Sequence, residues 1–170
     1  AYTYANTLEQ FVTGTFTATL NLILLSRFAE IAAEGDRERM IRTLTQGATA
    51  MILILAPVAL IAVLSAGDIV SLVYYRGEFT LENVHSTTLA LVGFAVGFPI
   101  IALRELFIRV YFAYQKTKAP MVISIASVVC NIVLSVLLSL VMGILGVTLA
   151  TSLSAVLSVV LLDRGVRKMV

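Results

Sequence analysis

Three ionisable residues lie close together near the end of a long apolar stretch. They are Arg104, Glu105 and Arg109, in the sequence IIALRELFIRVYFA. On a helix, Glu105 and Arg109 are spaced to form an ion pair, whereas Arg104 points about 100° away. Two interpretations stay open. The side chains can extend toward water around one ion pair, or Arg104 can border a polar cavity and bind an anionic substrate, since a guanidinium binds phosphate through two hydrogen bonds.

A second group of polar residues opens the sequence. Thr7, Glu9 and Gln10 precede an apolar run that also holds Asn21 and threonines at positions 13, 15, 17 and 19. Threonine hydroxyls can bond to their own backbone and are therefore tolerated in an apolar medium. The carboxylate of Glu9 and the amide of Asn21 are more costly in an apolar medium than a threonine hydroxyl. We therefore predict that this helix is the wall of a water-lined cavity, with Thr7, Glu9 and Gln10 as candidate substrate-binding residues.

A third group combines an amide with hydroxyls. Asn131 and Ser135 are one helical turn apart in VVCNIVLSV, and Val147 and Thr151 have the same spacing in the next apolar run. Hydrogen bonding between two helices is one explanation of this pattern. The other is a set of oxygen ligands for a hard monovalent cation, which prefers oxygen donors.

The residue pairs that carry catalysis are absent from the sequence. It has one histidine, His85, and one cysteine, Cys130, and neither has a nearby partner of the kind that acid–base or thiolate chemistry needs. We therefore predict that the protein is not an enzyme. The net charge of +2 is small and scattered, so nucleic acid is not an expected partner.

The composition indicates that lipid surrounds the chain. Of 170 residues, 59% are hydrophobic and 13% are charged, and the mean hydropathy is +1.00. A water-soluble domain of this size could not bury so much apolar surface. A helix needs about 20 residues to cross a bilayer, which predicts a single all-α bundle of about five transmembrane helices, near residues 8–28, 43–66, 87–114, 119–141 and 145–162.

Basic residues predict the orientation of these spans, because cytoplasmic loops are enriched in Lys and Arg. Nine basic residues fall on alternate connections and the C-terminal end, whereas Arg76 alone falls on the intervening ones. This pattern places the N-terminus outside and the C-terminus in the cytoplasm. The nine residues are Arg27, Arg37, Arg39, Arg42, Lys116, Lys118, Arg164, Arg167 and Lys168.

Glycine, proline and capping residues predict where the helices end or bend. Gly35 and Asp36 predict a helix stop followed by an N-cap, and a short amphipathic helix before the second span. Gly143 and Gly146 predict the turn between the last two spans. Pro57 and Pro99 lie inside apolar spans and predict kinks. Two further features are a helix cap expected at Thr80 and a Gly-x-x-x-Gly pair, Gly93 and Gly97, which favours close helix packing.

Five segments together resemble one family. LLSRFAEIAAEGDRER, YYRGEFTLENV, ALRELFIRVYFAYQKTKAP, NIVLS and GVTLATSLSA are similar, in order and separation, to the second half of the lipid II flippases, within the multidrug/oligosaccharidyl-lipid/polysaccharide exporter superfamily. The resemblance implies about fourteen helices in two lobes around a central cavity. It also implies alternating access that moves undecaprenyl-linked peptidoglycan precursor across the bacterial cytoplasmic membrane. The chain would then be a fragment, roughly the eighth to the twelfth helix.

The resemblance also implies roles for particular residues, and this chain departs from two of them. The family has a cavity arginine in the form Y-A-x-R-L, where YANTLEQF has Thr7. The family's sodium site fits Asn131, Val147 and Thr151, but Ser135 stands at the position of its acidic ligand. Sodium is thus the one implied cofactor, and Ser135 in place of the acidic ligand argues against coupling to it.

These departures keep two other functions open. The protein could export a different lipid-linked oligosaccharide, because Thr7 replaces the cavity arginine. It could also be a non-transporting membrane scaffold for cell-wall synthesis. The expected partners are a lipid-linked glycan precursor, the membrane lipids and the remaining helices of a full-length transporter.

Overall fold

A computed structural model describes the chain over residues 2–74 and 81–169, without the side chains of residues 12, 13, 15–23 and 81. Every regular element in these residues is a helix, which confirms the predicted all-α bundle. The seven helices are α1 (Tyr2–Glu34), α2 (Arg37–Leu64), α3 (Ala66–Tyr74), α4 (Leu81–Ala95), α5 (Phe98–Ala113), α6 (Lys118–Met142) and α7 (Ile144–Met169).

Three of these helices, α2, α6 and α7, are long and apolar enough to cross a membrane, and α4 with α5 makes a fourth candidate as one bent span. The side chains at the centre of α1, among them the alternating threonines and Asn21, are not described, and Arg76 and Thr80 lie outside the described residues. The fifth span and the orientation therefore stay predictions.

The corner between α1 and α2 forms as the sequence predicts. Gly35 has a φ of 72° and donates its N–H to the Ile31 carbonyl at 3.0 Å. Asp36 then accepts a hydrogen bond from the Arg39 N–H at 2.9 Å, as an N-cap does. The separate amphipathic helix was wrong, because α2 continues from Arg37 into the second span. The buried residues of α2 begin in its first turn and stay on one face: Met40, Leu44, Gly47, Met51, Leu55, Ala59 and Ala62.

Replacing the cap should destabilise this corner. We expect Asp36→Ala to lower the free energy of unfolding by about 1 kcal/mol, because the Arg39 N–H loses its acceptor. Thermal unfolding in detergent measures the effect, and Asp36→Asn is the control because its side-chain oxygen can still cap the helix. Equal losses in the two variants would contradict a capping role.

The third predicted span is broken near its centre. α4 and α5 meet at an angle of 47°, at Val96 and Gly97. Gly97 donates its N–H to the Phe94 carbonyl at 2.8 Å, and Pro99 lies in the first turn of α5, where its missing N–H costs no helical hydrogen bond. The kink predicted from Pro99 is thus confirmed. Pro57 lies inside α2, which continues as one helix past it, and the kink predicted there stays a prediction.

One glycine, rather than two, makes the turn between α6 and α7. Gly143 has a φ of 58°, which favours glycine because it has no Cβ. Gly146 lies inside α7 against α6, where an added Cβ would be 2.3 Å from the Leu138 carbonyl oxygen. Gly146 therefore permits the close packing of the two helices, and its predicted place in the turn was wrong.

Two apolar clusters hold the bundle together. One includes Phe28, Met51, Leu106 and Leu162. The other includes small residues of α2 to α4 with Phe94 and Phe98. Gly93 and Gly97 bring α4 against α7, since added Cβ atoms would lie 2.0 Å from Thr148 Oγ1 and 2.4 Å from Ser152 Oγ. The close packing predicted from this glycine pair is confirmed.

Candidate functional site

A polar cleft of about 310 Å³ lies where α1, α4, α5, α6 and α7 meet. The polar and charged side chains that line it come from four of these helices. They are Tyr2, Asn6, Glu9, Arg104, Ser127, Asn131, Thr151, Ser154 and Ser158, and the apolar ones are Phe94, Ile101, Val128 and Ala155. Residues from the substrate-binding and the cation-binding predictions thus line one cleft.

Arg104 is the cationic group of this cleft. Its Nη2 donates a hydrogen bond to Ser124 Oγ at 3.2 Å, and its Nη1 lies 3.7 Å from Glu105 Oε1. The Arg104 side chain is 28% exposed, so it is held by α5 and α6 and is still open to a ligand. This geometry is compatible with the interpretation that Arg104 borders a polar cavity.

The ion pair predicted between Glu105 and Arg109 was wrong. Glu105 pairs with Arg104 instead, and Arg109 has a buried Nε with no hydrogen-bond partner among the described residues. Neither Glu105 nor Arg109 lines the cleft. The helical spacing allowed the pair, but the rotamers follow the neighbouring helix, which offers Ser124 to Arg104.

The residues predicted in α1 divide into two groups. Glu9 lines the cleft and is 8% exposed. Thr7 and Gln10 are exposed and do not line it, and the Thr7 hydroxyl donates to the Thr3 carbonyl at 3.0 Å. The described residues therefore give Glu9 a place in this cleft and give none to the other two.

Hydroxyl groups between α6 and α7 form the floor of the cleft. Ser127 Oγ donates to the Ser154 carbonyl at 3.0 Å and lies 2.5 Å from Ser158 Oγ. Asn131 Nδ2 donates to Thr151 Oγ1 and to Ser154 Oγ, each at 3.2 Å. The interhelical hydrogen bonding predicted for Asn131 and Thr151 is therefore present.

The same contacts test whether these residues fit a sodium ion. The described residues contain no cluster of three or more His, Cys, Asp or Glu, and the Asn131 amide nitrogen, rather than its oxygen, faces the hydroxyls of α7. Ser135 and Val147 do not line the cleft, although the Val147 carbonyl accepts the Thr151 hydroxyl at 3.4 Å. The donor set is neutral, and the Thr151 hydroxyl and the Val147 carbonyl already bond to each other, so the set fits a charged ion poorly.

Three cleft serines were not among the predicted residues. Ser127, Ser154 and Ser158 are buried polar groups. The signal that could have identified them is the sequence TSLSAVLS, which places small hydroxyl residues at three- and four-residue spacing on one face of α7. Together the lining groups can bind an anion at Arg104 and hydroxyl-bearing groups beside it.

The whole chain is similar to proteins of one known family. The sequence profile of the lipid II flippase MurJ matches residues 1–170. Proteins named probable lipid II flippase MurJ are similar at 24% identity in Rickettsia prowazekii and 30% in Haemophilus influenzae, each over 75% of this chain. The chain spans about a quarter of the length of these relatives, 25% and 26%.

A solved structure has the same fold. It is a lipid II flippase MurJ in an inward closed conformation, with a TM-score of 0.87 and 23% sequence identity, over 98% of this chain and 35% of that one. With the profile match over every residue and the apolar helices, these findings place the chain in the inner membrane of a bacterium and show that it belongs to the lipid II flippase MurJ family.

Proposed function

We propose that the protein flips lipid II, the polyprenyl-pyrophosphate-linked precursor of peptidoglycan, across the cytoplasmic membrane by alternating access. The observation that carries this proposal is the family match over residues 1–170. Because the chain spans a quarter of its relatives' length, we propose that further helices of the full-length transporter complete the cavity.

The polar cleft supports a role in binding the head group. Arg104 supplies a positive charge that can form paired hydrogen bonds with a pyrophosphate oxygen pair. The hydroxyls of Thr151, Ser154 and Ser158 lie in the same cleft and can bond to sugar hydroxyls. Glu9 supplies the acceptor that a sugar or peptide N–H would need.

A second substrate class has one observation in its favour. Thr7 stands where the family resemblance implies a cavity arginine, and its hydroxyl bonds to its own helix. A less cationic cavity would suit a different lipid-linked oligosaccharide. The scaffold hypothesis has no observation of this kind, since the cleft retains charged and hydroxyl groups.

Reconstitution of the full-length protein in liposomes tests the proposal. Labelled lipid II is placed in one leaflet, and its arrival in the other is measured by enzymatic modification from outside. We expect transfer well above that of empty liposomes and rescue of cells depleted of their own flippase. Transfer of another lipid-linked oligosaccharide alone would favour the second class. If the protein transferred no lipid and did not rescue the depleted cells, the scaffold hypothesis would be the one that remains.

We also propose that this chain transports without a sodium ion at the Asn131 position, because Ser135 replaces the acidic ligand. Ser135→Asp should create sodium dependence. A carboxylate one turn from Asn131 adds the missing negative charge, and we expect sodium to raise the melting temperature of this variant by about 2–4 °C, equivalent to about 1 kcal/mol of binding free energy.

Unfolding in sodium chloride compared with choline chloride measures this shift. Ser139→Asp, one turn further along α6, is the matched control and should show none. An equal sodium shift in the unmodified protein would contradict the proposal, because it would mean that the neutral set already binds the ion.

A further inference from the structure

The joint between α4 and α5 deprives two main-chain carbonyls of their helical donors. In a continuous helix the Gly93 carbonyl would accept from the Gly97 N–H, four residues on. Gly97 instead donates to the Phe94 carbonyl at 2.8 Å. The Ala95 carbonyl also loses its donor, because Pro99 has no N–H. The joint thus lacks two of the hydrogen bonds that keep a helix in one direction.

A serine of α7 replaces one of these bonds. Ser152 Oγ donates to the Gly93 carbonyl at 3.0 Å. Ser152 is 4% exposed, so water has little access to this carbonyl. The hydroxyl lies directly against the joint, because an added Cβ at Gly97 would overlap Ser152 Oγ. A buried carbonyl without a donor is destabilising, and Ser152 supplies the donor in the bent arrangement.

The same helix carries the floor of the polar cleft. Thr151, Ser154 and Ser158 of α7 line the cleft, whereas Ser152 faces α4. α7 is therefore bonded to α6 on one side and to the joint on another. The angle at the joint consequently decides where α5, with Arg104, lies relative to the α7 hydroxyls.

Arg104 is sensitive to this angle because it lies seven residues beyond Gly97. At 1.5 Å per residue the separation is about 10 Å along α5, so a change of about 10° in the bend moves Arg104 by about 2 Å. A guanidinium loses its hydrogen bonds over a shorter distance than that. A well-defined bend is therefore needed to keep Arg104 in register with the rest of the cleft.

We infer that Ser152 is a positioning residue for Arg104. Its bond to the Gly93 carbonyl fixes the bend between α4 and α5, and the bend holds Arg104 in the cleft with the α7 hydroxyls. The effect on transport rests on the proposed function. Ser152 itself does not line the cleft, so it acts on the substrate only through α5.

Spin labels in the full-length protein test the effect on the bend. Glu82 and Lys116 are exposed and lie near the far ends of α4 and α5. The distribution of distances between labels at these two positions, measured by pulsed electron paramagnetic resonance, reports the angle between the helices. Ser152→Ala removes the hydroxyl and keeps the Cβ. We expect it to widen the distribution, because both missing bonds then stay unreplaced.

Thr148→Val is the matched control. Thr148 lies one turn before Ser152 and packs against Gly93, but its hydroxyl donates to carbonyls of its own helix, those of Ile144 and Leu145. Valine keeps the branched side chain, so this variant loses a buried hydroxyl and no bond to α4. Its distance distribution and its transfer rate should equal those of the unmodified protein.

Lipid II transfer in liposomes tests the link to Arg104. We expect Ser152→Ala to lower the rate about fivefold, as the loss of one hydrogen bond would. In a protein that already carries Arg104→Gln, the same change should lower the rate no further. Ser152→Cys keeps a weaker donor and should lose less. It repeats the test if the alanine variant does not fold.

Three results would overturn the inference. They are an unchanged distance distribution in Ser152→Ala, an equal widening in Thr148→Val, and additive losses in the double variant with Arg104→Gln, as expected of a residue that only stabilises the fold. If the unmodified protein transferred no lipid II, the proposed function would fail. A widened distribution in Ser152→Ala would then still support the role of Ser152 at the joint.

Discussion

Arg104→Gln should lower the rate of lipid II transfer by at least about tenfold. Arg104 is the only cationic side chain that lines the polar cleft within the described residues. Hydrogen bonds to charged groups contribute about 1.5–3 kcal/mol, and each 1.4 kcal/mol is about a tenfold change. Glutamine removes the charge and keeps a polar side chain, although its amide ends two bonds short of the Nη2 atom that donates to Ser124.

Two further variants separate charge from structure. Arg104→Lys restores the positive charge without the two-pronged geometry and should recover part of the transfer rate. Arg164→Gln removes an exposed arginine of α7 and should have no effect. The liposome assay measures all three. Normal transfer by Arg104→Gln would remove Arg104 from the substrate site.

Gly146→Ala should lower the free energy of unfolding by about 1–3 kcal/mol, the usual cost of overpacking. The new Cβ would lie 2.3 Å from the Leu138 carbonyl oxygen, a backbone atom that moves only if α6 and α7 separate. Separation would also lengthen the hydrogen bonds of Ser127 and Asn131 to α7. The gain in helix propensity, up to about 1 kcal/mol, is not expected to compensate.

Gly67→Ala is the matched control, since Gly67 is also helical but has no atom within 4 Å of an added Cβ. It should raise the melting temperature, because alanine is the better helix former. Thermal unfolding in detergent compares the two. A rise in both variants would contradict the close α6–α7 packing.

Local features of the sequence predicted the helix boundaries well. Gly35 with Asp36 and Gly143 each specify a backbone conformation that a few neighbouring residues determine. The bend near Pro99 belongs to the same class, because a missing N–H is a local property. The extension of α2 toward Asp36 was missed because a cap predicts that a helix begins but not whether it merges with the next span.

Side-chain partners were harder to predict, since they depend on how neighbouring helices rotate. Arg104, Asn131 and Thr151 were identified because polar groups are costly in lipid. The pairing of Arg104 with Glu105 depends on α6, which places Ser124 beside Arg104, and the contacts of Ser127 depend on α6 and α7 lying side by side. Serine is small and tolerated in lipid, so the sequence alone did not identify the three cleft serines as site residues.

The bend between α4 and α5 has a mechanical consequence. α5 is about 24 Å long at 1.5 Å per residue, so a 47° turn displaces its far end by about 18 Å from a straight continuation of α4. Few main-chain bonds cross the joint at Gly97. Most buried side chains of α4 lie in one apolar cluster and most of those of α5 in the other, so the two halves of the span are packed separately on either side of the bend.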